Sequence, residues 1–146
     1  NYGGQCGDGY GKESSADGMG QFMVESNADR VLEIDLGTGK FSVYAERAGR
    51  FPDGLAFDRS GNLYVSCYAS DDIHRIGLAG VRTLFAYDRW AIMLSRPTNI
   101  AFRDGYIYVA NLGRRSITRA PVGCEGQPLA NQHLPTSHLP TNYDHA

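Results

Sequence analysis

Apolar and polar residues alternate over short stretches along most of the chain, and turn residues separate the stretches. Leu55 and Phe57 stand on either side of Ala56, and Asp58-Arg59-Ser60-Gly61 follows as a turn. Leu63-Tyr64-Val65-Ser66-Cys67-Tyr68 is a β-branched and aromatic run, which predicts a second strand. Ile73 and Ile76 flank polar positions in a third, and Val81-Arg82-Thr83-Leu84-Phe85 makes a fourth. Upstream, Val31–Asp35 and Phe41–Ala45 are joined by the glycine turn Leu36-Gly37-Thr38-Gly39-Lys40. No stretch sustains a helical period. The pattern predicts an all-β fold.

The pattern also repeats. Pro52-Asp53-Gly54-Leu55-Ala56-Phe57-Asp58 returns 45 positions later as Pro97-Thr98-Asn99-Ile100-Ala101-Phe102-Arg103. Asn62-Leu63-Tyr64-Val65 returns as Tyr106-Ile107-Tyr108-Val109, and Asp72-Ile73-His74-Arg75-Ile76 as Ser116-Ile117-Thr118-Arg119-Ala120. An earlier, incomplete copy runs from Gln21-Phe22-Met23-Val24 to Arg30-Val31-Leu32-Glu33-Ile34. Four antiparallel strands every ~45 residues is the signature of propeller blades. Rings close with about 4–8 blades, whereas this chain has room for about three. A partial β-propeller with open edges is expected, and the absence of an initial methionine supports a truncated chain. Residues 1–12 hold five glycines by position 11 and read as loop or disordered. Residues 13–124 form the propeller portion. Residues 125–146 read as a flexible tail, with His133-Leu134-Pro135-Thr136 duplicated as His138-Leu139-Pro140-Thr141.

Composition narrows the function. Fourteen basic and 16 acidic residues give a net charge of −2, which offers a nucleic-acid partner no basic stripe. The arginines between Arg75 and Arg119 read as a solvated face. No apolar run approaches the ~20 residues of a membrane span, and no secretory signal pattern opens the chain, so a cytoplasmic, membrane-free location is expected. Cys6, Cys67 and Cys124 are odd in number and widely spaced, which argues against a disulfide framework. Without a CxxC pair, a cysteine-based zinc site is not expected, and Cys67 reads as a small core residue. Gly7-Asp8-Gly9-Tyr10-Gly11-Lys12 lacks the serine or threonine of a phosphate loop, and no serine has a nucleophile-elbow context.

Phe51-Pro52-Asp53-Gly54-Leu55-Ala56-Phe57-Asp58, followed by Gly61-Asn62-Leu63-Tyr64-Val65, resembles a signature of the senescence-marker-protein/gluconolactonase family. Arg96-Pro97-Thr98-Asn99-Ile100-Ala101-Phe102 and Tyr108-Val109-Ala110-Asn111-Leu112-Gly113-Arg114 are similar to its next blade, so the likeness runs from about Gln21 to Pro128. The resemblance implies a six-bladed propeller that hydrolyses sugar lactones with one divalent metal, calcium first and zinc or manganese as alternatives. It implies three ligands: a glutamate of the first blade, an asparagine in an Asn-Gly pair, and the aspartate of Pro-Asp-Gly, here Asp53. The glutamate would lie upstream of Asn1, and Tyr10-Gly11 stands where the Asn-Gly pair is due. The chain alone is therefore expected to be inactive.

Asp53 has two readings. As ligand and general base it would join a hard cation and take a proton from water, with Gly54 allowing close approach of a ligand. As half of an Asp-Gly turn it would only shape the start of a strand. Thr98 and Asn99 occupy the same place in the next blade and are candidate channel-lining residues, with structural turn roles as the alternative. His74 reads as a solvent-side residue, and Tyr87 and Trp90 as inter-blade packing or a rim loop. Three functions follow: the C-terminal part of a lactone hydrolase, a non-catalytic binding propeller, or a half-propeller that associates with a second copy through its open edges.

Overall fold

The computed structural model describes Gln5–Gly7, Tyr10–Ser14 and residues 20 to 127. Twelve strands form three antiparallel sheets. The first sheet orders β1 (Gln5–Gly7), β2 (Tyr10–Ser14), β3 (Gly20–Glu25), β4 (Arg30–Asp35) and β5 (Phe41–Ala45). The second contains β6 (Pro52–Phe57), β7 (Leu63–Cys67), β8 (Asp72–Ile76) and β9 (Arg82–Tyr87). The third contains β10 (Pro97–Arg103), β11 (Tyr106–Asn111) and β12 (Ser116–Pro121). Each sheet is a meander, and β6 lies between β2 and β10, so the sheets are three successive blades. This is a partial β-propeller, as the repeat predicts.

The glycine-rich stretch read as loop carries β1 and β2, with Gln5 opposite Lys12 and Gly7 opposite Tyr10. Pairing there runs through main-chain groups, which alternation of side chains does not report. The histidine repeat of the tail lies outside the described residues. Glu125 to Gln127 pack back on the second blade: Arg59 N donates to Glu125 O at 2.9 Å and Gln127 N to Phe57 O at 3.2 Å. No helix among the described residues is long and apolar enough to cross a membrane.

Two cores lie in the seams between blades. Leu55, Phe57, Leu63, Val65 and Ile76 of the middle blade meet Phe22, Val24 and Val31 of the first. Ala56, Tyr64 and Ile73, on its other face, meet Ile100, Ile107 and Val109 of the third. A sheet covered on both sides needs apolar residues at successive positions, and all five residues of β7 are buried. Asp58 is 1% exposed and holds the β6–β7 turn. Its carboxylate accepts the N–H groups of Ser60 and Asn62, each at 2.9 Å, and both its oxygens accept the Asn62 amide.

The blades are fastened by a repeated clasp. Asp29, between β3 and β4, accepts the N–H of Phe51 through Oδ1 at 2.7 Å. Asp71, between β7 and β8, accepts the N–H of Arg96 at 2.5 Å. All four residues have left-handed φ, from 49° to 56°. Such a conformation costs a non-glycine residue about 1–2 kcal/mol, and a hydrogen bond to a charged acceptor contributes about 1.5–3 kcal/mol. In the third blade the corresponding left-handed position is Arg115.

Candidate functional site

At the start of β6, Pro52 lies opposite Cys67 and Gly54 opposite Ser66. Between them the register shifts, so Asp53 occupies a β-bulge. The same irregularity falls between Pro97 and Ile100, at Thr98 and Asn99. Bulges re-aim side chains and collect beside functional sites. Here the repeated bulge places a half-buried carboxylate near the start of β6 and an exposed asparagine at the equivalent place in β10.

Burial raises the Asp53 carboxyl above the ordinary aspartate range. Among the described residues its carboxylate has no hydrogen-bond or ion-pair partner. A carboxylate in that state is a better proton acceptor near neutral pH than an exposed one. The residues do not form a complete divalent-metal site around it. Among the described residues, the one group of three or more His, Cys, Asp or Glu side chains close enough to share an ion is Cys67, Asp72 and His74. Tyr10, at the position due for the asparagine ligand, opens β2.

Gly54 has a different role from the one its motif suggests. A Cβ there would lie 2.3 Å from Thr98 O, 2.8 Å from Ser66 Oγ and 2.9 Å from Ile100 N. The glycine therefore lets β6 and β10 approach backbone to backbone. Ser66 bridges them: its Oγ accepts Gly54 N–H at 2.9 Å and donates to Thr98 O. Thr98 in turn donates through Oγ1 to Ala110 O at 3.2 Å within its own blade. Its side chain is committed to the sheet, and Asn99 is the exposed one of the pair. Ser66 carried no motif. Its place opposite Gly54 in the hairpin is what reveals it.

His74, read as solvent-side, is buried at 9% exposure. It shares a face of β8 with Ile76, which packs in the seam between the first two blades. Trp90 is 72% exposed, with the Arg89 guanidinium 5.4 Å from its ring centre. It belongs to a loop organised by Asp88, whose carboxylate accepts the N–H groups of Trp90, Ile92, Met93 and Leu94 at 2.5–3.0 Å. The main-chain donors, Leu94 and Met93 foremost, hold the Asp88 carboxyl below the usual range.

The fold defines the chain as part of a β-propeller. No family model matches the sequence, and no curated protein matches it. Solved structures do. Virginiamycin B lyase from Staphylococcus aureus is 20% identical over 86% of this chain and 40% of its own, with a TM-score of 0.61. A luciferin-regenerating enzyme is 21% identical over 78% of this chain and 45% of its own, at a TM-score of 0.60. A streptogramin B lyase is 14% identical over 75% and 39%, at 0.52. At these identities the likeness is one of fold, and the chain spans less than half of each neighbour.

Proposed function

We propose that the chain is the C-terminal part of a metal-dependent sugar-lactone hydrolase, with Asp53 its contribution to the site. The observation that supports this reading is the half-buried, unpartnered carboxylate at a β-bulge near the start of β6. Burial raises the pKa of Asp53, which suits a group that takes a proton from water attacking a cyclic ester. The remaining ligands, and calcium as the first expected ion, belong to the complete ring, so the chain alone turns over no lactone. In the full-length protein, Asp53→Ala abolishes lactone hydrolysis. Retained activity with normal metal content removes Asp53 from the site.

A second reading is supported by the two end faces of the arc. Phe41 and Val43 are 64% and 44% exposed beside Leu32 and Ile34, and Ile117 is 74% exposed at the other end. Neighbouring blades would cover such faces in a closed ring, and a second copy of the chain can do the same. A strict monomer at high concentration excludes that assembly.

A further inference from the structure

Cys67 closes β7 and Asp72 opens β8, and the two are directly opposite in the hairpin. His74, two residues on, projects from the same face of β8 as Asp72. The sulfur, a carboxylate oxygen and a ring nitrogen all lie within 4.8 Å of one another. The three residues are 0%, 8% and 9% exposed. Together they bury a thiol, a carboxylate and an imidazole in one spot of the seam between the first two blades.

Their polar atoms are poorly served by the protein. His74 Nδ1 is buried without a hydrogen-bond partner, and Asp72 Oδ1 and the neighbouring Ser70 Oγ are buried with only poorly aligned contacts inside the cluster, the closest from Oδ1 to His74 Nε2 at 3.3 Å. The Cys67 sulfur has two long contacts, 3.8 Å each, to the carbonyls of Ala48 and Val65, and faces the Asp72 carboxylate. Buried polar groups are nearly always well paired, and these satisfy one another only through strained contacts within the cluster, which a shared partner would relieve. The main chain at Gly49 closes over the trio: a Cβ there would sit 2.0 Å from Cys67 Sγ and 2.9 Å from His74 Cδ2. The enclosure excludes a nucleophilic role for Cys67, because no substrate reaches a fully buried sulfur.

We propose that Cys67, Asp72 and His74 form a structural site for a borderline-soft divalent cation, zinc above all. One sulfur, one imidazole nitrogen and one carboxylate oxygen form a donor set suited to zinc. Bonds of about 2.0–2.3 Å hold the ligand atoms of a tetrahedral ion about 3.3–3.7 Å apart. His74 Nε2 and Asp72 Oδ1 already stand 3.3 Å apart, and side-chain rotation of about an ångström brings in the sulfur. A water or the Ser70 hydroxyl completes the shell. The ion enters as the chain folds and ties β7 to β8 beneath the Gly49 connection. This site is separate from Asp53 and does not depend on the activity proposed for it.

The test uses the full chain with Cys6→Ser and Cys124→Ser, so that Cys67 is the sole sulfur nucleophile. One equivalent of zinc should survive dialysis, and cobalt in its place should give a thiolate-to-metal charge-transfer band. X-ray absorption of the zinc form should show one sulfur at about 2.3 Å and lighter ligands at about 2.0–2.2 Å. Adding His74→Gln should weaken cobalt binding by more than about a hundredfold, beyond the 10–100-fold loss typical of an outer partner. Asp53→Asn should leave the band unchanged. A folded protein that binds no zinc and shows no band at saturating cobalt overturns the proposal, as does a band that persists at full strength in the His74→Gln protein.

Discussion

Replacing Gly54 with alanine tests the closest contact between β6 and β10. The added Cβ would lie 2.3 Å from Thr98 O and 2.9 Å from Ile100 N. Both are main-chain atoms of β10, so no side chain can swing aside. The strands must separate by roughly an ångström, which costs about 1–3 kcal/mol as overpacking. Separation also breaks the Gly54–Ser66–Thr98 relay, in which each buried group left unpaired costs about 1–3 kcal/mol. The expected loss is about 3–6 kcal/mol, a large share of the ~5–15 kcal/mol that stabilises a domain. Urea unfolding followed by tryptophan fluorescence and circular dichroism measures it, with slopes of about 1–3 kcal/mol/M. Ser66→Ala is the control, because it removes the relay without crowding and should cost about 1–3 kcal/mol. If Gly54→Ala unfolds within about 0.5 kcal/mol of the parent, a threshold typical of neutral surface changes, the close approach of β6 and β10 is refuted.

Asp58→Ala should destabilise the chain by about 2–4 kcal/mol, since it leaves the buried main-chain and side-chain donors of Asn62 without an acceptor; denaturant titration reads it, and a neutral result would refute that burial. Asp53→Asn should stabilise the fold at pH 7. The native carboxyl is raised, so the parent loses stability as pH rises through that value, while the difference vanishes below about pH 3.9, the unfolded value. Stability measured from pH 3 to 8 decides it, and a destabilised variant at pH 7 contradicts the assignment. Asp88 has the opposite sign: its lowered carboxyl contributes stability above the unfolded value that is lost as pH falls through the native one. Asp88→Asn should therefore flatten the acid limb of the stability profile.

The strands were legible because alternation and turn chemistry are local. Leu63 to Cys67 announced a strand, and its unbroken apolar character corresponds to burial on both faces. The 45-residue offset placed Pro52 and Pro97 at the starts of equivalent strands, as the structure has them. Asp53 stood out through its motif. Its neighbour Gly54 was misread because the partner that needs the space, Thr98 O, belongs to another blade. His74 was misread for a related reason: one alternating strand does not say which of its faces a neighbouring sheet will cover. Cys67, Asp72 and His74 have no ligand spacing along the chain, and only the β7–β8 register brings them together. Asp29 and Asp71 were overlooked because aspartate in a tight turn is unremarkable until its acceptor reaches across to the next blade.

That reach has a consequence for how such a chain can diversify. The aspartate receives a peptide N–H, and every residue except proline offers one. Phe51 and Arg96 occupy the receiving position with unlike side chains, though both touch Tyr68: one ring lies against it at 6.0 Å, and one guanidinium stands over it at 5.6 Å. The fastening is thus blind to the side chain it secures. Rim residues beside it are free to drift toward new ligands while the joint holds, and a duplicated blade inherits a working connection before its own surface has acquired any specificity.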